Sequence, residues 1–107
     1  MSDTHPIENL DDTVHQRHRL GILVILRESG RADFTYLRDT LNLTDGNLGQ
    51  HLEVLREASL VKLEKVRDAR RPRTVATITA KGRRALAREL SILETLVQHN
   101  KRHIGSI

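Results

Sequence analysis

Six histidines and no cysteine give this chain its widest chemical options. His15 and His18 lie three residues apart, and His99 and His103 lie four apart, spacings that bring two imidazoles to one side of a helix and suit zinc or nickel. Neither pair has an acid or a further histidine placed in sequence to complete four ligands, so no metal or other cofactor is expected. Hydrolytic chemistry has no better footing. There is no Gly-x-Ser-x-Gly, no phosphate-binding glycine loop and no buried-looking carboxylate pair, and an enzyme is not expected. The lack of cysteine excludes disulfides, thiolate metal sites and cysteine nucleophiles.

A second set of residues is suited to a polyanion. Thr44, Gly46, Asn47, Gln50 and His51 follow one another in a segment whose leucines, Leu48, Leu52 and Leu55, fall on the opposite stripe. Asn47 and Gln50 can pair with adenine edges or phosphates, while Gly46 and Gly49 leave the backbone bare for close approach. Each glycine inside a helix costs about 1 kcal/mol relative to alanine, which a purely structural helix has little reason to carry. Segment 44–58 holds three acids and one arginine, so it cannot supply the attraction itself. That role falls to Arg67, Arg70, Arg71 and Arg73 around Pro72, which can lie along phosphates or enter a narrow minor groove. Lys81, Arg83 and Arg84 are expected to extend the same positive strip, with Arg17 and Arg19 as weaker candidates.

These residues need elements to position them. Residues 1–11 are acidic and interrupted by Pro6, and read as a flexible arm with Ile7 and Leu10 available for docking. An amphipathic helix is expected from Asp12 to Ser29, ended by Gly30. A very short strand fits at Arg31–Phe34, then a helix capped by Thr35 and a turn at Asn42-Leu43. Thr44 caps the third helix, with Asp45 favoured by the positive end of its dipole. Two alternating runs follow, Leu60 to Val66 with Val61, Leu63 and Lys65 sharing one face, and Val75 to Ile78, joined by the arginine-rich turn. Thr79-Ala80-Lys81-Gly82 opens a last helix whose Ala85, Leu86, Leu90, Ile92, Leu93, Leu96 and Val97 cover more than one face and imply a partner.

The whole is a mostly α domain with a small β-hairpin (α+β), a winged helix-turn-helix over residues 12–100, followed by a tail at 101–107. At 107 residues there is room for one modest core, and with one Phe, one Tyr and no Trp that core is aliphatic. Aromatic platforms for single-stranded nucleic acid are missing. The net charge is +4, and it is unevenly placed: Met1 to Asp12 holds four acids and no base, whereas 67–73 holds four arginines. The longest apolar run, Leu20 to Leu26, is too short for a bilayer, and the acidic start lacks the marks of a signal peptide, so a cytoplasmic protein without membrane contact is expected.

Several strings together resemble the small bacterial and archaeal winged-helix transcriptional regulators of a branch near the MarR and ArsR groups. They are Arg19-Leu20-Gly21-Ile22-Leu23, Phe34-Thr35-Tyr36-Leu37, Leu43 to Leu52, Leu60-Val61, Arg73-Thr74 to Ile78-Thr79 and Lys81-Gly82-Arg83-Arg84-Ala85-Leu86, within about Arg17 to Leu96. Gly49 departs from the Ser of many relatives, and Ala58-Ser59 from their Ala-Gly. The resemblance implies a homodimer held through residues 12–26 and 85–100. It also implies a palindromic duplex DNA operator, with helix 44–58 in the major groove and wing 67–73 on phosphates or the minor groove. Two other readings remain open at this point: a winged-helix protein-interaction module that does not bind DNA, and an ArsR-like regulator that senses a metal or other effector.

Overall fold

The computed structural model describes residues 5–67 and 70–105. After a 3₁₀ turn at Pro6–Asn9, the elements run α1 (Asp12–His15), α2 (Arg17–Ser29), β1 (Arg31–Asp33), α3 (Phe34–Leu41), α4 (Asp45–Glu57), β2 (Val61–Arg67), β3 (Pro72–Ile78) and α5 (Ala80–Gly105). The expected order of helices and hairpin is present, and the fold is the winged helix. The three strands form one antiparallel sheet in the order β1-β3-β2. Arg67 pairs with Pro72 at the wing end and Val61 with Ile78 at the base, while Arg31 to Asp33 pair with Thr77 to Val75 on the other edge of β3.

The helix expected from Asp12 to Ser29 is two helices. Gln16 adopts ψ 129°, and its Oε1 accepts from the N–H groups of His18 at 2.8 Å and Arg19 at 3.0 Å, so it caps α2 and breaks the run. Glutamine, one methylene longer than asparagine, has taken the part usually played by Ser, Thr, Asp or Asn. The cap of α3 is also displaced from expectation: Asp33 Oδ1, not Thr35, accepts from Tyr36 N at 2.8 Å. Asn42 in the left-handed region (φ 54°) ends α3, and Thr44 Oγ1 accepts from Asn47 N at 3.1 Å to open α4, both as the sequence indicates.

The core lies where α2, α3, α4 and the sheet converge on the start of α5, through Ile22, Leu23, Leu26, Leu37, Leu48, Leu52, Leu55, Ile78 and Leu86. Lys65, expected on the inner face of β2, is exposed, because β2 runs out from the core towards the wing. At the base of the hairpin Thr79 joins three elements: Oγ1 donates to Ser59 O at 2.7 Å and accepts from Gly82 N at 2.9 Å, and its N–H donates to Leu60 O at 3.1 Å. Gly82 is forced by this crossing, since a Cβ there would collide with the Leu60 carbonyl oxygen.

Both ends of the chain differ from expectation. The described part of the N-terminal arm lies against α5: Asp11 N donates to the buried Glu89 Oε1 at 3.0 Å, and the His5 ring stands edge-on to His99 at 4.8 Å. Residues 1–4 lie outside the described residues, as do 106 and 107 of the tail. Lys101 to Gly105 continue α5, which meets no Pro and no Gly between Gly82 and Gly105. At 26 residues α5 is about 39 Å long and stretches the molecule to 61 × 26 × 22 Å. Its stripe of Leu86, Leu90, Leu93 and Val97 starts fully buried and ends with Val97 at 52% exposure. None of the described helices is long and apolar enough to cross a membrane.

Candidate nucleic-acid interface

The two faces of α4 are sharply divided. Leu48, Leu52 and Leu55 are buried, while Thr44, Gly46, Asn47 and Gln50 are exposed along its N-terminal half. A Cβ added at Gly46 or Gly49 would meet nothing within 4 Å, so the bare backbone at both positions faces open space. The Asp45 carboxylate in the first turn does not stand alone. Arg38 of α3 donates to it at 2.9 Å and to Asp39 at 3.0 Å, and the two acids, Asp45 first, raise the Arg38 pKa above its ordinary value. Arg38 thus joins the two helices of the helix-turn-helix and reduces the negative charge at the end of α4 that carries Asn47. Its only sequence signal was its spacing of seven from Asp45.

His51 lies off the exposed face. It is half-buried on the flank towards α2, with Nδ1 accepting from Arg19 at 3.2 Å and its ring 5.4 Å from that of His18. Burial first, then the charges of Arg19 and His18, lower its pKa from 6.5. Arg19 also donates to the carbonyl of Thr13 at 2.7 Å and to that of Asp12 at 3.3 Å, so one guanidinium ties α1 and α4 to α2. The sequence offered Arg19 as a weaker candidate for the positive strip, whereas its guanidinium is engaged in these attachments.

Among the described wing residues, Arg67, Arg70 and Arg71 are exposed, while Asp68 and Ala69 of wing 67–73 lie outside the described residues. Arg73 has a structural attachment: NH1 meets Asp33 Oδ2 at 3.4 Å, on the carboxylate that caps α3. Arg71 and Arg73, with Lys65, border a hollow of about 620 Å³ that also takes in Thr35 and the exposed Tyr36 at the start of α3. Lys65 and Tyr36 therefore join the wing arginines on one surface, a grouping that sequence separation concealed.

Lys81 and Arg84 do not continue the wing. They sit past the base of β3, a seven-residue strand about 20 Å long, and line a separate hollow with Asn9, Asp11 and Arg88. The histidine pairs are also dispersed. The break at Gln16 sends His15 to Glu89, with Nδ1 3.1 Å from Oε2, and His18 to His51. The side chain of His103 lies outside the described residues, and no group of three or more potential ligands stands together among the described ones.

Residues 18–97 match the family model described as winged helix DNA-binding domain. An uncharacterized protein of Methanocaldococcus jannaschii is 43% identical over 65 residues, 61% of this chain and 71% of that protein. The structure of a transcriptional regulator homologue from Pyrococcus horikoshii OT3 superposes with a TM-score of 0.79 at 36% identity, covering 88% of this chain and 91% of its own. YusO protein from Bacillus subtilis, at 11% identity and a TM-score of 0.72 over 95% of this chain and 67% of its own, shares the fold alone.

Proposed function

The chain belongs to the winged helix DNA-binding domain family, and on that premise we propose that it regulates transcription as a homodimer on a palindromic duplex operator. The observation that carries this reading is the division of α4, whose leucines are buried and whose Thr44, Gly46, Asn47 and Gln50 are exposed. Asn47 and Gln50 read base edges from the major groove, and Thr44 positions the backbone entering it. Arg67, Arg70 and Arg71 bind phosphates or the minor groove, and Arg73 does so from its anchor on Asp33. His51 contributes by fixing the flank of α4 against Arg19. The second protomer covers the outer stripe of α5 around Leu93 and Val97, so each half-site receives one α4.

The test is binding to random duplex DNA across a salt series, with mass followed by light scattering. The expected result is a dimer whose log affinity falls with log salt at a slope of about −0.9 per phosphate contacted. Absence of binding at low salt would overturn the reading.

A further inference from the structure

We propose that the hollow between the N-terminal segment and the first turns of α5 is a binding site for a small multivalent oxyanion, held by Lys81, Arg84 and Arg88. Their spacing of three and four puts them on one face of α5. With Asn9, Asp11 and Glu89 they line a space of about 460 Å³, within the range of small-molecule sites, in which three cations outnumber two carboxylates. Among the described residues none of the three cations has an ion-pair partner.

This arrangement is electrostatically unfavourable when empty. Like charges one turn apart on a helix repel. The first turns are also the positive end of the helix dipole, where acids are favoured, and the first turn of α5 carries none. An anion between the three side chains relieves both. The two acids of the hollow each have one oxygen held elsewhere. Glu89 is 1% exposed, with Oε1 taking Asp11 N at 3.0 Å and Oε2 3.1 Å from His15 Nδ1 without a hydrogen bond to it. Asp11 Oδ1 caps α1 through Thr13 N at 2.9 Å.

The forks of Arg84 and Arg88 match the oxygen pairs of phosphate or carboxylate groups, Lys81 adds a point charge, and the Asn9 amide supplies a neutral donor. Two sources share this chemistry: a free small molecule bearing phosphate or several carboxylates, and the phosphates of duplex DNA. Position favours the first. Thr79 bonds to Ser59 and places the start of α5 beside the C-terminal end of α4, whereas Thr44 to Gln50 occupy the other end and the wing tip is a full strand away.

Titration calorimetry of the full chain with inorganic pyrophosphate, at ionic strength held constant with sodium chloride, tests the site. The expected result is one saturable site per protomer, weakened about tenfold or more by Arg84→Gln or Arg88→Gln and unchanged by Arg71→Ala. Lys81→Gln replaces either variant if thermal unfolding shows it misfolded. The same hollow variants should bind random duplex DNA as the parent does. No saturable heat, or an equal loss in Arg71→Ala, would overturn the site. Hollow variants that flatten the salt dependence of DNA binding would also overturn it and give these cations to the duplex backbone. Loss of DNA binding by the parent chain would instead strike the regulator reading and leave the pyrophosphate result to stand by itself.

Discussion

Arg38 grips Asp45 at the first turn of α4 and Arg19 grips His51 on its flank, so the polar helix is set in place by two cations that belong to other elements. Because the folded state lowers the pKa of His51, the unfolded chain binds its proton more tightly. Stability is then full above about pH 6.5 and declines as the pH falls through the window between that value and the depressed folded one. Denaturant midpoints from pH 8 to 5 should show this decline in the parent chain, and His51→Gln, which keeps an acceptor for Arg19 and cannot titrate, should flatten the part due to His51. The proposed DNA contacts divide at the same scale. Asn47→Ala should cost about 1 to 3 kcal/mol, chiefly on the true operator, whereas Arg71→Ala should weaken all sequences alike and reduce the salt slope by about one. Equal behaviour of the two variants on operator and random duplex would undo the assignment. The Thr44 cap was legible because its hydroxyl directly precedes an apolar stripe. The Asp33 cap was not, because Thr35 offers the same chemistry two residues later and only the pairing of β1 with β3 decides between them.

At the scale of elements, the helical and alternating periods were enough to lay out α2 to α5 and the hairpin. They could not show the break at Gln16, since the five polar residues 15–19 give no apolar phase on either side of it and the cap is a residue type seldom used for that purpose. They also could not show that Lys81 and Arg84 leave the wing surface, because nearness in sequence says nothing of which end of β3 a residue occupies. The glycines separate structural from functional demands. Gly46→Ala and Gly49→Ala enter open space inside a helix and should each stabilise the free protein by up to about 1 kcal/mol, measured by urea unfolding, while weakening DNA binding. Variants that were stabilised and bound DNA normally would remove the reason given for those glycines. Gly82→Ala should do the reverse, destabilising the fold by about 1 to 3 kcal/mol or more as Leu60 is pushed aside.

The whole molecule is longer than a packed domain of its size. Its radius of gyration is 16.6 Å, against about 13 Å for a compact chain of this length, and α5 accounts for the excess. The surplus of apolar positions on α5 was legible in the sequence, but their split into a buried first half and an exposed second half depends on where the other helices stop. Val97, at 52% exposure, can be changed without disturbing the core, so Val97→Glu should leave the fold intact and shift the mass by light scattering towards the monomer. A dimer that survived the change would place the contact elsewhere. In the dimer proposed above, the 26 unbroken residues of α5 also act as a ruler. There a strut between two reading heads sets both their separation and their rotational phase around the duplex. Operator spacing then becomes a mechanical specification: adding about five base pairs between half-sites turns one of them to the far side of the double helix and should abolish paired binding. Adding about ten restores the phase but overreaches the strut, and should not rescue it.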